Sequence, residues 1–398
     1  MGTSLAEASN KKTTDKPASK PRYKPNKAAK KSARTLAPQP PRNTADNTVI
    51  DTPPAGSSAT RLPPVKAPDL PTVWQGYTLQ TQITLHPNPS GTYRIWLPLP
   101  AGQDTLYQQY LGYTLKSNAD NVTLHRLPDG EQDVLVCQWS ANPAPPELSL
   151  SSRINTAERH FDITRRSIAP EREDILRRHL RATETLPNDG PVYDLAMRII
   201  GRIKDPVAQA KALFDWITDN AVFLPNMPAG GNGNAYQQIQ TGRLGGGSID
   251  ISALFVSLCR SLGIPARCVF GLRLGASGIS ELLSVGNAQQ LEHAQHCRAE
   301  FYVPGYSWIP VDPADACRAN GENNRETQSL KRLLFGTWEM NWINYGVATD
   351  LVLPETSLAL PFLNQPYIGK DDRPPVALET SLPNLDRYEL RCQRTLNR

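Results

Sequence analysis

The strongest constraint on the fold is an apolar helix that lies between a glycine run and three predicted strands. Residues 253–260 read Ala-Leu-Phe-Val-Ser-Leu-Cys-Arg and follow the run Gly-Gly-Gly-Ser at 245–248. Beyond the helix, β-branched and aromatic residues predict strands at 267–274, 295–303 and 308–311. Pro304-Gly305 between the last two predicts a hairpin turn. A helix packed on an antiparallel sheet is therefore expected, which indicates the α+β class.

Before residue 245 the apolar pattern has two different periods. From residue 74 to about residue 160, apolar and polar residues alternate, and Tyr77, Leu79 and Ile83 share one strand face. Strands are predicted at 77–85, 93–97, 122–125, 134–139 and 148–154. Turn residues separate these short strands, a spacing that is typical of an antiparallel β-sandwich. From residue 161 the period becomes helical, and helices are predicted at 175–182, 191–203 and 206–220.

Charge is distributed unevenly along the chain. Residues 1–70 carry 13 Lys and Arg against 5 Asp and Glu, whereas the remaining residues carry 30 against 33. The net charge of +5 therefore comes from the first segment and not from a folded basic face, which argues against nucleic-acid binding. Few apolar residues and many prolines predict a disordered, extended segment there. A solvated spacer is the favoured interpretation, and attachment to an anionic surface or polymer is the alternative.

These patterns divide the chain into four segments. We expect a basic, proline-rich tether at 1–73, a β-sandwich domain at 74–160, an α+β domain at 161–325 and a C-terminal extension packed on the core at 326–398. No apolar run reaches the roughly 18 residues of a membrane-spanning helix, and no secretory apolar segment follows Met1. These patterns do not indicate an oligomeric state.

The six cysteines are scattered along the folded part of the chain, without a CxxC pair or the spacing of metal ligands. No metal site and no cofactor are therefore predicted. Scattered cysteines fit buried free thiols at least as well as disulfides, so the redox compartment stays open.

Three polar residues of the α+β region can assemble into a nucleophile, a base and an orienting acid. Ser248 precedes the apolar helix, where free N–H groups and the helix dipole stabilise an anionic nucleophile or an oxyanion. His296 lies on the second strand and Asp312 follows the third, so neighbouring strands can bring imidazole and carboxylate together. Taken singly, Ser248 fits a helix N-cap, His296 a hydrogen-bonded core histidine and Asp312 a turn residue. His293 is a second candidate for the base.

The same segments resemble the transglutaminase-like superfamily, which has a papain-like fold. The matching motifs are 246–250 (Gly-Gly-Ser-Ile-Asp), 260–267 (Arg-Ser-Leu-Gly-Ile-Pro-Ala-Arg), 296–300 (His-Cys-Arg-Ala-Glu) and 308–313 (Trp-Ile-Pro-Val-Asp-Pro). They occur in family order over about residues 190–315. Residues 294–300 and 338–342 also resemble a bacterial subgroup with an N-terminal β domain. The resemblance implies a catalytic domain at 161–325, in which His296 is the base and Asp312 orients it.

The resemblance breaks at the nucleophile, because Ser248 stands where the family has cysteine. A thiol can exist as a thiolate paired with imidazolium, whereas a hydroxyl must lose its proton to a base during attack. We favour an inactivating Cys-to-Ser substitution, because the other two triad positions are intact. A natural non-catalytic relative and a working serine enzyme are the alternatives.

Further site residues are expected around the triad. Gly246, Gly247 and Trp308 are predicted to contact substrate, and the glycines would let a substrate backbone approach closely. Gln237, Gln238 or Gln240 is predicted to donate to the oxyanion, and the sequence does not choose between the three. Residues 230–234 are expected to form a mobile rim of the cleft.

The predicted function is that of a cysteine hydrolase or acyltransferase that acts on peptide or isopeptide amides through a thioester, without a cofactor. Hydrolysis and amine transfer use the same residues, and hydrolysis is favoured for a bacterial member. A binding protein that holds a peptide or glycan peptide without cleaving it is the alternative. The expected partner is a protein or peptide substrate. The tether and the family resemblance favour a periplasmic or secreted location.

Overall fold

The computed structural model describes residues 71–128, 131–162, 168–225, 227–284, 288–320, 325–378 and 385–395. The tether predicted at residues 1–73 lies outside these ranges except for its last three residues. Within the described ranges, none of the helices is both long and apolar enough to cross a membrane.

Two antiparallel sheets contain the strands of residues 75–156 together with three strands from the C-terminal segment. The first contains β1 (Gln75–Leu85), β3 (Gln108–Ser117), β6 (Glu147–Thr156) and β19 (Leu385–Thr395). The second contains β2 (Tyr93–Leu99), β4 (Asn121–Arg126), β5 (Asp133–Trp139), β17 (Tyr367–Lys370) and β18 (Val376–Ala377). The strand orders are β19-β1-β6-β3 and β18-β17-β2-β5-β4.

A shared core joins the two sheets into a sandwich. Alternate side chains of β2, among them Ile95 and Leu97, are buried in one cluster with Leu148 and Leu150 of β6. Burying one such aliphatic side chain contributes about 1.5–3 kcal/mol to the free energy of unfolding. The sandwich also takes three strands from the C-terminal segment, since β17, β18 and β19 lie far beyond the other strands in sequence.

Seven α-helices are present in the described residues. They are α1 (Glu173–Arg178), α2 (Pro191–Ile200), α3 (Pro206–Asn220), α4 (Ala235–Thr241), α5 (Ser248–Ser261), α6 (Pro313–Asn320) and α7 (Arg325–Leu333). The bounds of α3 agree with the predicted helix at 206–220. The predicted helix at 191–203 is shorter in the structure, because Gly201 takes a φ of 54° and ends α2. The helix predicted at 175–182 begins and ends earlier, as α1.

The helical region is built around α5 and a four-stranded antiparallel sheet. The strands are β10 (Ala266–Arg273), β11 (Gln295–Val303), β12 (Ser307–Val311) and β14 (Trp342–Gly346), in the order β12-β11-β10-β14. Every residue of α5 from Ser248 to Arg260 is buried. The Phe255 ring contacts Phe214 of α3 and Phe301 of β11, with centroid distances of 6.4 and 6.1 Å. These contacts hold the middle of α5 against the sheet.

Short elements complete the region. The strand pairs are β7 (Arg159–His160) with β13 (Thr337–Trp338), β8 (Val222–Phe223) with β9 (Gly245–Gly246), and β15 (Leu351–Val352) with β16 (Ala359–Leu360). Single 3₁₀ turns span Pro228–Gly230 and Glu281–Leu283. The β8–β9 pair is parallel and β9 leads directly into α5, so it fixes the chain just before Ser248.

Candidate active site

Ser248 is the first residue of α5 and has 3% of its surface exposed. Gly247, not Ser248, occupies the N-cap position. The Asp250 carboxylate accepts a hydrogen bond from the Gly247 N–H at 2.9 Å. It also accepts from the N–H groups of Asn232 and Gly233, at 2.9 and 2.8 Å. Asp250 therefore caps the helix, and Ser248 lies at the positive end of the helix dipole.

A glycine loop lies against the Ser248 side chain. Gly230, Gly231 and Gly233 all have positive φ. A Cβ placed on Gly230 would be 3.1 Å from the Ser248 Oγ. A Cβ on Gly231 would overlap the Asp250 carboxylate, so a side chain does not fit there. The segment predicted to form a rim of the cleft is thus in direct contact with the nucleophile position, while its mobility stays a prediction.

The Ser248 hydroxyl oxygen accepts a hydrogen bond from the Cys297 backbone N–H at 3.1 Å. Because Cys297 follows His296 on β11, this bond holds the start of α5 against the strand that carries the base. Among the hydrogen bonds of the described residues, none joins Ser248 to His296. The Cys297 side chain packs in the core beneath α5.

His296 and Asp312 form a buried, hydrogen-bonded pair. The His296 Nε2 lies 2.8 Å from the Asp312 Oδ2, and the two residues are 6% and 1% exposed. Adjacent antiparallel strands, β11 and β12, bring them together. Because Nε2 faces the acid, Nδ1 is the ring nitrogen left for a nucleophile.

Three further charged residues surround this pair. The Arg298 Nε lies 3.2 Å from the Asp312 Oδ2. Asp315 forms an ion pair with Arg273, and its Oδ2 lies 3.7 Å from the His296 Nε2. All five side chains are buried. Two carboxylates and two guanidinium groups therefore balance each other's charge around the imidazole.

The surroundings keep Asp312 ionised. Burial alone would raise the pKa of Asp312, but the charge and hydrogen bond of His296, with Arg298 and Arg273, outweigh burial. The pKa of Asp312 is consequently held far below its usual range. Burial lowers the pKa of Arg298 to about 10, with Asp312 opposing the change, so Arg298 stays charged at neutral pH.

His296, Asp312 and Asp315 offer ligand atoms that lie within 4.8 Å of one another, close enough to hold a metal ion. However, Arg298 and Arg273 already pair with the two carboxylates. Two guanidinium charges at this distance oppose an additional cation. The donor set fits a charge-balanced acid–base pair better than a metal centre.

Of the candidate oxyanion donors, Gln237 and Gln240 are exposed on α4. Gln238 between them is buried, and its Nε2 donates to the Asp250 carbonyl oxygen at 2.9 Å. Its Oε1 accepts from a backbone N–H of β9 at 3.1 Å. Sequence reasoning missed this link between α4 and the start of α5, although Ala235 and Gln238, three residues apart, mark the buried face of α4. The oxyanion role of Gln237 and Gln240 stays a prediction.

The predicted substrate contacts are all buried. Gly246 and Gly247 lie directly before α5, where their role toward a substrate stays a prediction. The face of the Trp308 ring is covered by the Arg267 guanidinium, which lies 4.0 Å from the ring centroid, and the His179 ring packs against its edge. These contacts belong to the packed interior and do not support the expectation that Trp308 contacts substrate.

Sequence reasoning also missed Arg298, Arg273 and Asp315. Arg298 is two residues from His296 on β11, and Asp315 is three residues from Asp312. The spacing of Arg298 gives a local signal, since residues two apart on a strand share a face. Asp315 lies in the first turn of α6, which begins directly after Asp312. Arg273 comes from β10, and its approach to Asp315 depends on tertiary packing.

Together these groups can support acyl transfer. A nucleophile at position 248 has the N–H groups of the first helical turn nearby, and such groups stabilise an oxyanion. The His296–Asp312 pair offers an oriented base on the neighbouring strand. The structure pairs His296 with Asp312 and places Ser248 next to the strand of His296, while their roles as a catalytic triad stay a prediction.

Comparisons with known proteins agree with this geometry. The family model of the Transglutaminase-like superfamily matches residues 193–313, a range that includes the three predicted triad positions. A Haemophilus influenzae protein described only as uncharacterised is 30% identical over 290 residues, which cover 68% of this chain and 78% of that protein.

One solved structure gives a likeness at the level of the fold. A candidate cysteine protease from Cytophaga hutchinsonii has a TM-score of 0.51 at 16% identity, covering 82% of this chain and 93% of its own. The periplasmic domain of TgpA from Pseudomonas aeruginosa has a TM-score of 0.32 at 14% identity, covering 65% of this chain and 93% of its own. The four motifs, the papain-like arrangement of α5 and the sheet, and the family match lead to one conclusion: residues 193–313 of the chain form a domain of the transglutaminase-like superfamily.

Proposed function

We propose that this fold acts on peptide or isopeptide amides by acyl transfer through a thioester when position 248 is cysteine, and that Ser248 makes this chain an inactivated form. The observation that carries the proposal is the buried His296–Asp312 pair, whose Nε2–Oδ2 bond of 2.8 Å leaves Nδ1 for the nucleophile. Arg273 and Arg298 keep the Asp312 carboxylate ionised. Burying a charged carboxylate costs free energy, so an ionised acid held beside a buried imidazole indicates a functional site.

The reaction would proceed in two steps. The imidazole of His296 takes the thiol proton, and the sulfur attacks the amide carbonyl to form a C–S bond. N–H groups at the start of α5 stabilise the oxyanion, and the imidazolium returns the proton to the departing amine as the C–N bond breaks. Water or a second amine then attacks the thioester, which releases the acyl group and restores the thiol.

The hydrogen bond from the Cys297 N–H affects the charge of the nucleophile at position 248. A backbone N–H that donates to the atom at position 248 stabilises negative charge there, which favours a thiolate. The Ser248 hydroxyl needs a base to remove its proton during attack. The Ser248 oxygen accepts a hydrogen bond from the Cys297 N–H. Among the described residues, no hydrogen bond joins Ser248 to His296 to prepare the transfer of the hydroxyl proton.

A second function is a binding protein that holds a peptide or glycan peptide without cleaving it. Ser248 itself favours this reading, because a serine at a nucleophile position retains the shape of the site and loses the thiol. Tight peptide binding by the unaltered chain, together with an inactive Ser248→Cys variant, would support this function over acyl transfer.

The test uses Ser248→Cys, with Ser248→Ala as its matched control. Peptides with a glutamine or a C-terminal amide are incubated with each protein, and released ammonia or amine is measured alongside covalent adducts by mass spectrometry. We expect an acyl adduct and amine release with Ser248→Cys only. Adding an excess primary amine separates transfer from hydrolysis, because the amine is incorporated only in transfer. Folded Ser248→Cys protein that forms no adduct with any peptide would contradict the proposal.

We also propose a periplasmic or secreted location. Fractionation of bacteria that produce the chain, with an antibody against its β domain, tests this location. Recovery only in the cytoplasmic fraction would contradict it.

A further inference from the structure

Arg298 connects the base, the acid and two tryptophans in the interior of the site. It follows His296 by two residues on β11 and is 3% exposed. Its Nε donates to the Asp312 Oδ2 at 3.2 Å, and its NH1 donates to the Glu339 carbonyl oxygen at 3.0 Å. A buried guanidinium with these fixed partners has little freedom to turn.

Trp338 and Trp342 hold the strands that carry the triad. The Trp342 indole N–H donates to the carbonyl oxygen of His296 at 3.0 Å. The Trp338 indole N–H donates to the carbonyl oxygen of Val311, the residue before Asp312, at 2.9 Å. The Trp342 ring therefore fixes the backbone at His296, and the Trp338 ring fixes the backbone next to Asp312.

Both rings also pack against the Arg298 guanidinium. Its central carbon lies 4.8 Å from the Trp342 ring centroid and 5.7 Å from that of Trp338. Gly271 makes room for this arrangement, because a Cβ there would overlap the Trp342 ring. The cation–π contacts hold the guanidinium beside the carboxylate.

Arg298 controls which way the Asp312 carboxylate can face. The Oδ1 accepts from the Asp315 N–H at 3.0 Å, and the Oδ2 is shared by His296 and Arg298. Arg273 is a competing partner, since it lies 4.0 Å from the same Oδ2. Without Arg298, one anchor of the carboxylate is lost and Arg273 can draw it away from the imidazole.

We propose that Arg298 is a positioning residue, held by Trp338 and Trp342, that fixes the Asp312 carboxylate toward His296. The kinetic consequence rests on the proposed function, whereas the geometric one does not. Arg298 acts through Asp312 and touches no reacting atom, so its loss should lower kcat and leave KM nearly unchanged.

The first test is spectroscopic and needs no enzymatic activity. A buried imidazole N–H bonded to a carboxylate gives a proton resonance downfield of the amides. His296→Gln and Asp312→Asn assign the signal by removing it. We expect Arg298→Met to shift or broaden it and Arg298→Lys, which keeps the charge, to retain most of it. Arg260→Met, which removes another buried arginine outside the site, should leave the signal in place.

Trp342→Phe keeps one aromatic ring but removes the N–H that donates to the His296 carbonyl oxygen and part of the ring surface that packs against Arg298, so it serves if Arg298→Met does not fold. A shifted signal in this variant supports the proposal. An unchanged signal in folded Arg298→Met overturns the proposal. If Arg298→Met does not fold, an unchanged signal in folded Trp342→Phe overturns it.

The second test adds each substitution to Ser248→Cys. If the proposed function holds, Arg298→Met should slow turnover about 10- to 100-fold, as misplacement of a catalytic group by about 1 Å does. Arg298→Lys should recover part of that rate. If Ser248→Cys is inactive but Arg298→Met still shifts or broadens the downfield proton signal, only the proposed function is contradicted. Active protein with an unchanged rate and an unchanged signal in Arg298→Met contradicts only the positioning role.

Discussion

At the scale of single residues, the surroundings fix the charge states of Asp312 and His179 in opposite ways: neighbouring positive charges keep Asp312 ionised against burial, and burial keeps His179 neutral. Asp312 is kept ionised, so it stabilises the fold above the pKa of the unfolded carboxyl, about 3.9, and this stability is lost as pH falls below that value. His179 is kept neutral, because burial and then the charges of Arg267 and Arg260 lower its pKa to about 2. The unfolded chain binds a proton at this histidine below about pH 6.5, and the folded chain does not.

The first prediction concerns His179→Gln. Stability of the unaltered chain should fall as pH drops from 6.5, by up to about 1.4 kcal/mol per pH unit from this residue alone. The variant lacks that proton uptake in the unfolded state, so its stability should fall less between pH 7.5 and 5. Urea unfolding at both pH values measures the difference. The control is His86→Gln, whose histidine is exposed to water. Equal losses in His179→Gln and the unaltered chain would contradict the assignment.

At the scale of elements, β19 connects the C-terminal segment both to the first sheet of the sandwich and to the four-stranded sheet that carries the candidate site. It pairs with β1 from Gly76↔Thr395 to Leu85↔Leu385. Leu390 of β19 is buried in a cluster that also contains Leu272 of β10 and Ile343 of β14. The Leu390 N–H donates to Glu292, four residues before His296, at 2.8 Å. The strand therefore supports the sandwich and the segment that leads into β11.

The second prediction is that Leu390→Ala lowers the free energy of unfolding by about 2–5 kcal/mol, the cost of a cavity at a buried leucine. Arg391→Ala on the exposed side of the same strand should change it by about 0.5 kcal/mol or less. Denaturant titration compares the two variants. Equal small effects would mean that β19 packs only loosely on the fold.

The elements predicted best are those with strong apolar patterns. The strands at 267–274, 295–303 and 308–311 and helix α3 have buried faces and clear turn or proline boundaries, and the structure contains all four. The strand Gln108–Ser117 was not predicted, because it is a half-exposed edge strand with polar residues on both faces. The strand Leu385–Thr395 was also missed, because charged residues mask the buried Leu390 and Cys392.

At the scale of the whole molecule, the candidate site combines positions the sequence could indicate with partners it could not. Glycines, a helix start and two strand ends pointed to Ser248, His296 and Asp312, and the structure places His296 and Asp312 in hydrogen-bond contact. The roles of Arg273 and Arg298 depend on tertiary contacts between β10, β11 and Asp312. A local pattern does not show which buried charges balance one another.

The most direct test of the account is whether a thiol at position 248 is activated by His296. The six native cysteines are all buried. Burial raises the pKa of Cys137, Cys317 and Cys392 to about 12, so background labelling by iodoacetamide at pH 7 should be slow. The rate of labelling is measured for Ser248→Cys alone and combined with His296→Ala or with His293→Ala, an exposed neighbouring histidine.

We expect rapid labelling of Ser248→Cys, at least about 10-fold slower labelling with His296→Ala, and little change with His293→Ala. Labelling no faster than that of the unaltered chain, or labelling that does not depend on His296, would contradict the claim that this site is assembled for nucleophilic chemistry.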